Sequence, residues 1–217
     1  MIVAIDGPAG SGKSTLAKLL AERLGFFYLD TGAMYRALTL KLIKDKVDLD
    51  DKEAVIKTAK EFKVIFKDRK VFLDGEDVTL DIRLPKVEQN IFKAADIPEV
   101  RRCMVKLQRE IGEGNNLVLE GRDTTTVVFP HAGLKVFLDA DFDERVKRRA
   151  KDLADRGIKV SFCDLKESLL KRDRADMTRE VGTLRKAKDA VCLDTTGLSI
   201  DEVLEEVYDL ARERMKI

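Results

Sequence analysis

The chain has 217 residues, enough for one α/β domain with insertions rather than two independent domains. Its 41 Lys plus Arg balance 40 Asp plus Glu, a formal net charge of +1, which argues against a general nucleic-acid binder, a class that is clearly basic. No run nears the roughly 20 apolar residues of a membrane span, no signal peptide precedes the first apolar run, and Cys103, Cys163 and Cys192 are odd in number and far apart, so a cytoplasmic protein with reduced thiols is expected, without a disulfide frame or zinc site. His131 is the only histidine, which removes His-based triads and histidine metal clusters from consideration.

Ile2-Val3-Ala4-Ile5 is an apolar run of the kind buried on both faces of a sheet. Asp6-Gly7-Pro8-Ala9-Gly10-Ser11-Gly12-Lys13-Ser14-Thr15 follows, and then Leu16, Leu19, Leu20 and Leu24 recur at helical spacing up to Gly25. Gly7 to Ser14 matches G-x-x-x-x-G-K-[ST], the phosphate-binding P-loop, in the strand–loop–helix setting the motif demands. Glycines let backbone N–H groups approach a polyphosphate, and the helix start adds unpaired donors and the positive end of its dipole. Lys13 reaches the β- and γ-phosphates, Ser14 is placed to ligate Mg²⁺, and Thr15 is a further hydroxyl near the α-phosphate. Asp6 reads as a brace for the loop. The chain is therefore expected to bind a nucleoside triphosphate with Mg²⁺.

Phe26 to Asp30 is a second strand, ending in Asp30-Thr31-Gly32-Ala33-Met34-Tyr35-Arg36, where open α/β sheets bind ligands. A helix runs on to about Ile43, and Asp50 with Glu53 predicts a capping box opening another that reaches Phe62. From residue 63 to 83 the pattern alternates, with turns at Asp68-Arg69-Lys70 and Asp74-Gly75-Glu76-Asp77, which predicts a small antiparallel hairpin or three-stranded insert. Helices follow over 86–95 and from Pro98 to Ile111. Leu117-Val118-Leu119 is a buried strand ending in Glu120-Gly121-Arg122-Asp123, and Leu134 to Leu138 is another, ending in Asp139. The helix from Asp143 carries Arg145, Arg148 and Arg149 on one face and breaks at Arg156-Gly157. Asp164 and Glu167 cap the next helix, Ala190 to Leu193 is a last strand, and Ser199 with Glu202 forms a capping box for the closing helix.

The pattern predicts an α/β fold: a five-stranded parallel sheet with helices on both faces. Two insertions rise from it, residues 31–110, which contain the small antiparallel β unit, and a lid, 148–176; the core is 1–30, 111–147 and 177–217. Arg36, Arg101, Arg122, Arg148, Arg149, Arg172, Arg174 and Arg179 lie at strand ends or on the insertions, where a fork-shaped permanent charge suits phosphate groups. Asp123 and Asp176 are acids able to read an amine or ribose hydroxyls, or else to pair with Arg122 or Arg172.

Several segments together resemble the bacterial-type cytidylate kinases, a family of P-loop nucleoside-monophosphate kinases. They are Ile5 to Thr15, Leu29-Asp30-Thr31-Gly32-Ala33-Met34-Tyr35-Arg36, Gly75-Glu76-Asp77-Val78 with Ile82-Arg83, Ile97 to Arg101, Gly121-Arg122-Asp123 with Thr126 to Pro130, and Leu193 to Ser199. The resemblance covers essentially the whole chain. It implies a monomeric phosphotransferase that moves phosphate from ATP to CMP or dCMP with Mg²⁺, without nucleic-acid or membrane partners. It implies that Gly7, Pro8, Ala9, Gly10, Ser11, Gly12, Lys13, Ser14 and Thr15 hold the ATP phosphates. Thr31, Tyr35, Arg36 and Arg122 surround the acceptor phosphate, and Arg101 and Asp123 read cytosine. Arg172, Asp176 and Arg179 face the acceptor's sugar and phosphates, Arg148 neutralises the transferring group from the lid, and Lys13, Arg122, Arg148 and Arg172 are the catalytic cations.

This sequence departs from the family pattern at three places. Thr124-Thr125 stands where Met-Gly or Ile-Gly is usual, Glu88 and Phe92 stand where serines are usual near the base, and Ala175 stands where an Arg is common. These departures bear on acceptor choice, so a kinase acting on UMP or dTMP is the alternative within the class. A nucleotide-dependent regulatory ATPase is the alternative outside it, although no Asn-Lys-x-Asp guanine-reading tetrapeptide is present.

Overall fold

The structure, a computed structural model, describes residues 1–67, 69–155 and 157–215. In chain order the elements begin β1 (Ile2–Asp6), α1 (Lys13–Leu24), β2 (Phe27–Asp30), α2 (Thr31–Lys44) and α3 (Lys52–Glu61). The strands β3 (Val64–Lys67), β4 (Lys70–Leu73) and β5 (Glu76–Asp77) come next, then α4 (Pro85–Ala95) and α5 (Pro98–Gly112). The chain closes with β6 (Leu117–Gly121), β7 (Leu134–Asp139), α6 (Phe142–Asp155), α7 (Phe162–Thr178), β8 (Val191–Asp194) and α8 (Ile200–Met215). They gather into two compact units, Met1–Tyr28 with Gly114–Ile217, and Leu29–Glu113.

The main sheet has five strands in the order β2-β6-β1-β7-β8, as the alternation of strands and helices predicts. The strand β1 lies at its centre and pairs in parallel with β6 and β7, in a register that sets Asp6 beside Gly121 and Phe137. Parallel neighbours need long crossovers, and helices supply them. Val3, Ala4 and Ile5 are fully buried, because a central parallel strand is covered on both faces. On one face Val3, Ile5, Val118, Val136 and Leu138 pack against Leu16 and Leu20 of α1 and Val203 and Val207 of α8. The leucine spacing that marks α1 in the sequence is thus the stripe that anchors the P-loop helix to the sheet.

In the second unit α2 packs against α4 and α3 against α5, around Met34, Leu38, Leu42, Val55, Val100 and Met104. The three-stranded antiparallel sheet β3-β4-β5 is separate from the main one, matching the predicted insert. Asp74 and Gly75 link β4 to β5 with φ of 51° and 87°, the left-handed pair that a two-residue hairpin of type I′ requires.

Two predicted caps are corrected. The cap of α3 is Asp51, whose carboxylate accepts from the backbone of Glu53 and Ala54 at 3.0 and 3.1 Å, while Asp50 pairs with Lys93. The helix α7 starts at Phe162 under Ser161, so Asp164 lies in its first turn rather than at its cap. The box of Ser199 and Glu202 forms as expected. Asp68 of the predicted turn and Arg156 of the predicted break lie outside the described residues. Among the described residues no helix is long and apolar enough to cross a membrane.

Candidate active site

The P-loop leaves the carboxyl end of β1. Gly7 has φ of 154°, and a Cβ there would lie 2.1 Å from the Leu138 carbonyl oxygen, so the close passage of the loop over β7 requires glycine. Gly12 precedes α1, no side chain caps it, and no acid stands in the first turn. The first N–H groups of α1 are therefore left for an anion. Ser14 and Thr15 are exposed on this turn.

Lys13 is buried. Its Nζ donates to the Pro8 carbonyl at 2.7 Å and to Ser11 Oγ at 3.4 Å, so the loop folds over its own lysine. Burial, with the Arg122 charge adding to it, pushes the Lys13 ammonium down to about 7. Ser14 Oγ donates to Glu120 Oε1 at 2.7 Å. Glu120 is a buried acid at the end of β6, and together the two offer hard oxygen donors of the kind Mg²⁺ takes in P-loop proteins. Among the described residues no cluster of three His, Cys, Asp or Glu is arranged to cage a metal. Sequence reasoning placed Ser14 but gave Glu120 no role; its signal was an acid closing an otherwise apolar strand.

A buried ion pair holds the far side of the loop. Arg145 Nη1 donates to Asp173 Oδ2 at 2.6 Å and to the Ala9 carbonyl at 2.9 Å, and Asp173 Oδ1 accepts the Ala9 N–H at 3.4 Å. The predicted shared face of Arg145, Arg148 and Arg149 on α6 thus divides by partner. Arg148 donates to the hydroxyl and carbonyl of Thr195 at 2.8 and 2.6 Å, and its Nη1 lies 3.9 Å from where a Gly12 Cβ would stand. Arg149 pairs with Asp152 at 2.7 Å.

Past β6, Arg122 Nε donates to Asp176 Oδ2 at 2.7 Å, and Arg179 donates to Asp176 Oδ1 at 2.9 Å. Burial works against the Asp176 charge, but Arg122, Arg172 and Arg179 outweigh it and hold the carboxyl below the usual carboxylate range. Of the two readings of Asp176 in the sequence, the ion pair with Arg122 is present. Arg122 Nη1 donates to the Gly121 carbonyl at 3.3 Å, and Nη2 makes no hydrogen bond among the described residues. Arg172 is exposed on α7, near enough to act electrostatically on both Lys13 and Asp176. Asp123 is buried at the start of a wide turn over Thr124–Val128, where the Val128 and Phe129 N–H groups reach back five residues to the Asp123 and Thr124 carbonyls. Asp6 accepts from this turn: Oδ1 takes the Thr124 N–H and hydroxyl at 2.9 and 2.7 Å, and Oδ2 takes those of Thr125 at 2.7 and 2.6 Å. The loop that Asp6 braces most tightly is therefore the one after β6.

The remaining candidates belong to the unit Leu29–Glu113. Thr31 is the buried first residue of α2, and Asp30 caps that helix by accepting the Ala33 N–H at 2.7 Å. Asp30 Oδ2 also accepts from Arg36 at 2.9 Å and from Arg83 at 3.3 Å, which adds Arg83 to the predicted set. Arg36 Nε is buried with no partner among the described residues. Arg101 is buried, donates to the Ala95 carbonyl at 3.2 Å and lies 5.2 Å from the centroid of the Tyr35 ring. Lys13, Ser14, Arg122, Asp123, Arg148, Arg172, Asp176 and Arg179 thus fall in one unit, and Thr31, Tyr35, Arg36 and Arg101 in the other.

With this geometry in hand, the similarities are informative. A family model described as cytidylate kinase matches residues 3–213. A protein of Caldanaerobacter subterraneus subsp. tengcongensis named cytidylate kinase is 46% identical over 99% of this chain and 96% of its own length. One of the same name from Thermosipho melanesiensis is 45% identical over 99% and 98%. Among solved structures, shikimate kinase from Acinetobacter baumannii is similar with a TM-score of 0.51 at 16% identity, over 98% of this chain and 93% of that one, a likeness of fold alone.

Proposed function

We infer the reaction from one premise: the chain belongs to the cytidylate kinase family. It transfers the γ-phosphate of ATP to CMP or dCMP, giving ADP and CDP or dCDP. The observation that carries this reading is the span of the match, residues 3–213, which takes in the P-loop unit and the whole of the unit Leu29–Glu113.

In this reading the P-loop N–H groups and Lys13 hold the triphosphate. Mg²⁺ fits the Ser14 and Glu120 oxygens and, when bound, neutralises charge on the β- and γ-phosphates. Arg122 offers Nη2 to the acceptor phosphate while Asp176 holds its Nε, so the guanidinium arrives oriented. Arg36, with its buried Nε still to be satisfied, serves the same phosphate with Thr31 and Tyr35. Arg101 and Asp123 read the base, Asp176 and Arg179 face the acceptor's sugar, and Arg148 and Arg172 offset charge on the transferring group. A phosphate monoester oxygen is already a nucleophile at neutral pH, so no side chain has to remove a proton. One P–O bond forms to the acceptor, one breaks to ADP, and catalysis is positioning with charge stabilisation.

Lys13 gives this reading a thermodynamic signature. Its ammonium is pushed down to about 7 in the nucleotide-free chain, and a bound polyphosphate lifts it back towards its ordinary 10.5. Between those values the free protein has lost the proton and the complex keeps it, so binding takes up as much as about one proton near pH 8.5. Calorimetric titration of a non-hydrolysable ATP analogue, repeated in buffers of different ionisation enthalpy, measures this uptake. Proton release, or no exchange at all, contradicts a Lys13 ammonium that is lowered in the free chain and recharged by the phosphates.

Transfer itself is tested by ³¹P NMR of the chain with ATP, Mg²⁺ and CMP. Equal amounts of ADP and CDP are expected, with no ATP consumed when the acceptor is left out. Release of inorganic phosphate without CDP would instead favour the regulatory ATPase.

A further inference from the structure

A carboxylate offers about four acceptor positions, and Asp6 fills all four from one stretch of chain: two backbone N–H groups and two hydroxyls of Thr124 and Thr125, none longer than 2.9 Å. Asp6 and both threonines are at most 1% exposed, so water cannot replace any of these bonds. The two ends of the clamp matter. On one side Asp6 is bonded covalently to Gly7, the first residue of the P-loop, whose backbone runs so close to the Leu138 carbonyl that no side chain would fit. On the other side Thr124 is bonded covalently to Asp123, two residues from the end of β6. The strand register already sets Asp6 beside Gly121, but Arg122 and Asp123 lie beyond the last paired residue, where the sheet no longer holds the chain.

The turn beyond them needs such a hold. Wide turns with five-residue hydrogen bonds are rare and recur at functional sites. This one also carries a buried hydroxyl, Thr126 Oγ1, with no partner among the described residues. A conformation that leaves a polar atom unsatisfied persists where its surroundings over-determine it, and the four bonds to Asp6 do so here. The backbone pair of bonds would form with almost any residue at 124 and 125. The hydroxyl pair is particular to this chain's two threonines.

We propose that Asp6, acting through the Thr124 and Thr125 hydroxyls, is a positioning residue that locks Asp123 and Arg122 in register with the P-loop and so sets affinity for the acceptor nucleotide. The proposal rests on the reading of Asp123 and Arg122 as acceptor-binding groups. Both threonine hydroxyls are spent on Asp6, and their loop leads directly into Asp123 and Arg122, so deleting them is expected to act on the acceptor.

The test is steady-state kinetics of Thr125→Val and of the double variant Thr124→Val, Thr125→Val, which keep shape and the backbone bonds but delete hydroxyl donors to a charge. The KM for whichever monophosphate the unaltered chain uses best rises about tenfold in the single variant and further in the double, while the KM for ATP stays within about twofold. Thr125→Ser, which keeps the hydroxyl, returns the acceptor KM to that of the unaltered chain. Melting curves accompany each variant, and if the double variant does not fold, the single variant and its serine counterpart decide. An unchanged acceptor KM overturns the proposal. So does a parallel rise of both KM values, or failure of serine to restore the acceptor KM where valine raised it, since a merely structural threonine would give those results. Should the unaltered chain use no monophosphate at all, the acceptor reading fails first and the proposal falls with it; normal CMP use with unresponsive variants sinks the proposal alone.

Discussion

Lys13→Ala lowers phosphate transfer roughly 10²–10³-fold while the protein stays folded. The loss in rate follows from position. In the proposed reaction the buried ammonium meets charge that builds on the transferring group, where a fixed cation counts for far more than in solution. The small effect on folding follows from the nucleotide-free structure. There the buried ammonium is held by the Pro8 carbonyl and the Ser11 hydroxyl, against a desolvation cost and the like charge of Arg122. Deleting it strands one carbonyl and relieves one buried charge, and the two effects oppose each other. Turnover and a thermal melt on the same preparation check both halves; near-normal turnover would remove the P-loop from the chemistry.

Arg122→Leu is expected to lose a comparable factor in rate and, unlike Lys13→Ala, to cost stability, about 3 kcal/mol. That is the low end for breaking a buried pair, because Asp176 keeps Arg179 at 2.9 Å when Arg122 is gone. Arg122→Lys does not rescue turnover, since a single ammonium cannot hold Asp176 and a phosphate in two fixed directions at once. The double variant Arg122→Leu, Asp176→Asn separates the two roles. Neutralising Asp176 removes the stranded charge and recovers part of the melting temperature, while turnover stays lost. Recovery of turnover in the double variant would make Arg122 a structural counter-ion only.

The sequence was legible where the physics is local. The P-loop is readable because a strand, a glycine-rich loop and a helix are contiguous, and the leucine stripe of α1 states which face meets the sheet. Asp74-Gly75 announces its turn because few pairs tolerate two positive φ values. Caps were less legible: the spacing of Asp50 and Glu53 pointed to Asp50, and only backbone direction selects its neighbour Asp51. Arg145 illustrates a different limit. On a helix this rich in charge the default place for an arginine is the solvent, yet its partner Asp173 lies 28 residues on, and the two close over Ala9. Glu120 and Asp6 were harder still. The Ser14–Glu120 bond spans 106 residues, and the bonds from Thr124 to Asp6 span 118, created only when β6 is laid beside β1. The residues were visible in the sequence; their partnership is a product of the sheet order.

That distinction bears on Thr124 and Thr125 themselves. In the sequence they stand as departures from the family pattern beside a base-reading acid. In the structure both hydroxyls donate to one buried carboxylate, that of Asp6. Burial raises the Asp6 carboxyl above its ordinary value, and the Thr125 and Thr124 bonds pull against that rise without cancelling it.

The central claim is that this chain phosphorylates cytidine monophosphates. It is tested most directly by initial rates of ADP formation from ATP and Mg²⁺ across CMP, dCMP, UMP, dTMP, AMP, GMP and no acceptor, under one set of conditions. The account predicts rapid turnover with CMP and dCMP, at least about 100-fold slower turnover with every other acceptor, and background without one, the discrimination a site built to hydrogen-bond its base can supply. Equal or faster turnover with UMP or dTMP would contradict it and shift base reading away from Arg101 and Asp123.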